Sequence, residues 1–64
     1  MIEAGQFYEY QPGGSGIASI VRINRVLQRD LVQCTMQVSW TMIETKIHIG
    51  KLGRQLDITD FPKE

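Results

Sequence analysis

From Val32 to Thr41 the chain alternates without a break. Val32, Cys34, Met36, Val38 and Trp40 fall on one side, and Gln33, Thr35, Gln37, Ser39 and Thr41 on the other. Alternation of this length predicts a half-buried strand, with its apolar side chains, Val38 and Trp40 among them, on a core. A helix would scatter those five side chains around its circumference. A second alternation follows at once, with Ile43, Thr45, Ile47 and Ile49 against Glu44, Lys46 and His48. Two such runs, nearly contiguous, predict an antiparallel hairpin turning near residues 41–43.

Residues 17–31 admit two readings. Ile17, Ile20, Val21, Leu27 and Leu31 sit at helical spacing behind Ser15, a possible cap. Yet Ile17, Ile20, Val21, Ile23 and Val26 are β-branched, which costs rotamer freedom in a helix and suits a pleated sheet. The density of branched residues favours a strand, with a bulge near Ile20–Val21 to accommodate the doubled apolar pair. Five strands result, over residues 6–10, 17–28, 32–41, 43–49 and 54–58. The glycine-rich stretch 12–16 makes a hairpin loop, and Gly50 and Gly53 mark a turn before the last strand. Thr59 or Asp60 caps a single helical turn that buries Phe61, and Pro62 stops it. The predicted fold is all-β: a small five-stranded antiparallel barrel with a short C-terminal helical turn, in one domain over residues 1–64.

Composition sharpens this picture in three ways. Sixty-four residues with 42% apolar content support one small core, and such a core without staples typically nets roughly 3–5 kcal/mol. Cys34 is the single cysteine, so neither an internal disulfide nor a cysteine–histidine zinc site is expected, and no cofactor is called for. Seven basic residues balance seven acidic ones, whereas a protein that lives on nucleic-acid phosphates usually carries a positive excess. No apolar run reaches the roughly 18 residues of a membrane span. A lone thiol without an export signal predicts the cytoplasm.

The succession "GQFYEY", a turn, "IVRINRV", a polar turn, the alternating strand and a terminal "LDITDF" resembles the strand order of SH3-like barrels, the group that includes Tudor and KOW domains. It is similar also to the compact barrels that bacteriophages and prophages encode. The resemblance implies an SH3-like barrel and, on the phage side, an accessory protein that inhibits a host defence factor.

Few residues carry chemistry. Phe7, Tyr8, Tyr10 and Trp40 suggest an aromatic cage of the Tudor kind, with Glu9 or Glu44 as its carboxylate. Alternation, however, sets Tyr8 and Tyr10 on one face and Phe7 on the other, which favours core packing. One tyrosine of the pair is then expected to face a partner, since so small a core has few partners for two hydroxyls. Arg22, Arg25 and Arg29 fall within eight residues and offer planar forks to phosphate or carboxylate. In a regular strand Arg22 and Arg25 face opposite sides, and a bulge would change that. His48 stands between Lys46 and Gly50 with no nucleophile–base pair in sight, and Gly13, Gly14 and Gly16 lack the lysine of a phosphate-binding loop. No active site is expected. The leading expectation is a non-enzymatic module that binds another protein through loops and a strand edge, using Tyr8, Tyr10, Arg22, Arg25 and Arg29. Two alternatives stand beside it: nucleic-acid binding by the three arginines with stacked tyrosines, and a structural homo-oligomer joined by edge strands.

Overall fold

The row Tyr8, Val21, Met36, Ile43 runs across four strands in register and faces the core, while the next row, Phe7, Arg22, Thr35, Glu44, faces the other side. The computed structural model describes residues 1–11 and 18–62; the glycine loop 12–16 and Ile17 lie outside the described residues. The strands are β1 (Phe7–Tyr10), β2 (Ser19–Gln28), β3 (Leu31–Val38), β4 (Thr41–His48) and β5 (Leu52–Leu56). All pair antiparallel in one sheet of order β4-β3-β2-β1-β5, so β5 returns to the free side of β1 and β4 forms the opposite edge. The all-β expectation holds, and the ambiguous segment is a strand.

Tyr8, Val21, Ile23, Val32, Cys34 and Ile47 make the buried cluster, with Ile2, Tyr10, Met36, Ile49 and Leu52 packed around it. Tyr8 keeps its hydroxyl satisfied by donating to Gln6 Oε1 at 3.0 Å. Gly5, at φ 91°, turns the chain into β1 in a conformation costly for residues with a Cβ. Its amide donates to the Ile23 carbonyl at 2.8 Å, and the Ile23 amide donates to the Gln6 carbonyl at 2.8 Å. The first strand is thereby locked onto β2 before its regular pairing begins.

Several boundaries differ from the sequence-based expectation. The β3–β4 turn is Ser39–Trp40 rather than 41–43, because Ser39 takes φ 55° at the first central position of a two-residue hairpin. Positive φ there matches the right-handed twist of the flanking strands. Trp40 therefore stands in the turn, 63% exposed, and Val38 beside it is 40% exposed. The alternation of β3 continues past the point where the core ends, so both leave the core they were expected to join.

No slip occurs at Ile20–Val21, which pair regularly with Gln37 and Met36. The doubled apolar pair is simply one residue per face. The register shifts instead between Ile23 and Arg25 and between Val26 and Gln28. β5 starts two residues before the expected 54, after a 3-10 turn at Ile49–Lys51. Gly53 is a strand residue, and a Cβ there would press within 3.3 Å of the Gln11 side chain.

The expected C-terminal helical turn is absent: residues 57–62 are irregular. Pro62 disfavours the helical region for Phe61, and the Phe61 amide donates to Asp60 Oδ1 instead. Phe61 is nonetheless buried, edge-on to Phe7 at 5.2 Å between centroids and 78° between planes. An aromatic pair thus covers part of the face opposite the core, over β1.

These placements set the stability of point variants apart. Ile23→Ala empties part of the core and should cost about 2–4 kcal/mol, close to the whole stability of so small a domain. Val38→Asp, on the exposed hairpin end, should cost less than about 1 kcal/mol. Urea titration followed by circular dichroism checks both, and a collapse of Val38→Asp would contradict the exposed register.

Candidate binding groove

The two-residue turn that exposes Trp40 also builds a groove. Where β1 ends, β2 begins and β3 turns into β4, the sheet leaves a depression of about 570 Å³ lined by Tyr10, Ile20, Met36, Val38, Trp40 and Pro62, among others. The C-terminal tail supplies one wall. Gln37 Nε2 donates to the Pro62 carbonyl at 2.9 Å, which ties the tail to β3. None of the described residues lining the depression is charged. Such a lining, apolar with a few neutral polar groups and an exposed indole, suits an apolar protein segment better than a phosphate backbone.

The expected site residues separate. Tyr8 is core. Tyr10, at the end of β1, packs partly on the core and lines the groove. Arg22 pairs across the ladder with Thr35 and Arg25 with Gln33, positions two apart on β3, so the register slip at Asn24 puts both arginines on one face. Arg22 is committed within the fold. Its guanidinium carbon lies 5.6 Å from the Phe61 ring centroid, and its Nε donates to Asn24 Oδ1 at 3.3 Å. Asn24 Nδ2 donates in turn to Thr35 Oγ1 at 2.8 Å. Arg25 is exposed. Arg29 stands in the β2–β3 turn, at the end of β2 opposite the groove.

No aromatic cage forms. Phe7 is on the face opposite Tyr8, and Glu9 Oε1 accepts from Arg54 at 3.0–3.1 Å, a contact that clips β1 to β5. His48 sits at the other end of the molecule: its Nε2 is 3.0 Å from Asp30 Oδ2, and its Nδ1 accepts from the Gly50 amide at 3.3 Å. That pairing implies the neutral tautomer with the proton on Nε2, donating to Asp30. It ties the β2–β3 turn to the end of β4. Among the described residues no three His, Cys, Asp or Glu side chains gather as a metal site, and no helix is long and apolar enough to cross a membrane.

Sequence reasoning missed Trp40, Val38, Ile20 and Pro62 as surface residues of one groove. The only signal for it was Ser39, a small polar residue tolerant of positive φ, flanked by Val38 and Thr41. Compared with known proteins, the chain matches no family model, no curated protein and no solved structure.

Cys34 is fully buried, and burial pushes its thiol from 9.0 up to about 11. The folded state therefore holds this proton where the unfolded state releases it, so stability should fall as pH rises from about 9 toward about 11. Cys34→Ala should lack that part of the slope in denaturant titrations across this range. A water-soluble thiol reagent at neutral pH should label Cys34 only after unfolding.

Proposed function

We propose that the chain is a non-enzymatic protein-binding module built on a small SH3-like barrel. The reading is supported by a meander whose fifth strand comes back to the first, and by a core drawn from β1–β4 of a single sheet with Leu52 of β5 packed against it. A sheet with no second layer buries one face most readily by curling over it. The single observation that carries the function is the groove whose described lining is uncharged, with Trp40 at its lip. Tryptophan and tyrosine are the commonest anchors of protein interfaces, and an indole held in a tight turn loses little further freedom on binding.

The occupant is a segment of another protein that presents apolar side chains. Nucleic acid is the weaker reading on this geometry, since Arg22 is engaged by Phe61 and Asn24, Arg29 is at the far end, and the described residues of the groove include no cation. The resemblance to phage-encoded barrels narrows the first partners to try to host defence factors, met in the cytoplasm.

Trp40 is the one tryptophan of the chain, which makes it both anchor and reporter. Protein captured from lysate of the source cells on the wild-type chain should be lost on Trp40→Ala, with affinity down about tenfold or more. The melting temperature of that variant should stay near wild type. Emission from Trp40 should shift to the blue as the purified partner is added. Equal capture by Trp40→Ala, or retention of nucleic acid that fades steeply with salt and needs Arg22, Arg25 or Arg29, would replace this reading.

A further inference from the structure

The edge strand β4 carries a self-complementary sequence. Around Thr45 it reads Ile43-Glu44-Thr45-Lys46-Ile47, so an antiparallel copy centred on the same threonine sets isoleucine against isoleucine and glutamate against lysine. We propose that β4 pairs with β4 of a second copy about a two-fold axis through Thr45, extending one sheet through both chains.

The backbone phase fits. The two-residue turn closes on Val38 and Thr41, and at the other end the Ile49 amide donates to the Asp30 carbonyl at 2.9 Å. Both place the amides and carbonyls of Thr41, Ile43, Thr45 and Ile47 toward β3, leaving those of Met42, Glu44, Lys46 and His48 directed outward. In the proposed register Glu44 faces Lys46 of the second copy, so outward groups meet outward groups and Thr45 falls on a non-bonded pair. Glu44 and Lys46 are exposed, and neither forms an ion pair among the described residues. Ile43, 46% exposed although its row faces the core, gains cover from Ile47 of the second copy.

Monomeric proteins guard such edges with charges that repel a second strand, with prolines, or with short lengths. β4 does none of these: it has eight residues, no proline, and one charge of each sign spaced to match its own inverse. The other edge, β5, is shorter, carries Gly53, and has Arg54 already bound to Glu9. The pairing is isologous, hence closed. It uses a different surface from the groove, so dimerisation and partner binding stand or fall separately.

The test is sedimentation velocity at low salt, from roughly 10 µM to 1 mM, the range suited to a small edge-to-edge interface. The wild-type chain should pass from monomer to dimer. Glu44→Lys alone and Lys46→Glu alone set like charges opposite each other twice and should weaken the dimer about tenfold or more. Their circular dichroism should be unchanged, since both side chains are exposed. Mixing the two variants should restore association as a mixed dimer, and the double variant E44K/K46E should associate with itself. A wild-type chain that stays monomeric throughout, single variants that associate as wild type does, or a mixture that fails to recover would each overturn the proposal.

Discussion

One face of one sheet has to be buried without a second layer to cover it. Val21, Ile23, Val32 and Cys34 are almost wholly out of water, and among the described residues what packs around them comes from the same five strands together with Ile2 and Ile49. Every other feature answers to that constraint. Gly5 exists to start β1 directly over Ile23, the 3-10 turn brings β5 back beside β1, and the ion pair between Arg54 and Glu9 holds that return. Burying a few side chains completely is how a chain of this size reaches a stable fold, because hydrophobic stabilisation scales with the area taken from water.

The same constraint decides where the surface is left available. The core occupies the middle of the sheet, and the β3–β4 hairpin extends beyond it. Apolar residues placed on that extension, Val38 and Trp40 above all, stay substantially exposed and line a groove. On the opposite face Phe61 folds back onto Phe7, and Arg22 caps the pair through its guanidinium. That aromatic cluster takes up an arginine which composition alone would assign to a phosphate. The charge available for recognition is thereby reduced.

Much of the fold was legible because period-two alternation reports directly on which side of a strand faces a core. The strands, their antiparallel order along the chain, the burial of Cys34 and Phe61, and the separation of Phe7 from Tyr8 could all be read from residue types and spacing. The candidate groove could not. Its residues lie on β1, β2, β3, the hairpin turn and the tail, and only the register between strands makes them neighbours. Nor does alternation say where a core stops: Trp40 continues the pattern of Met36 yet lies in a turn, because Ser39 accepts a positive φ that no pattern of hydrophobicity records.

Sequence by itself determined that the chain is built of β-strands, the two faces of the central alternation and the balance of charge, all of which follow from local chemistry. Tertiary structure decided the rest. The slip at Asn24 brought Arg22 and Arg25 to one face, since a single extra residue in one strand shifts every side chain beyond it relative to its partner. Pro62 and the packing of Phe61 on Phe7 laid the tail down as irregular chain rather than a helical turn. Pairing of β5 with β1 left β4 at the edge with its backbone groups facing outward. These outcomes depend on which strands meet and how far the core reaches, and both are properties of the whole sheet that no single stretch of sequence contains.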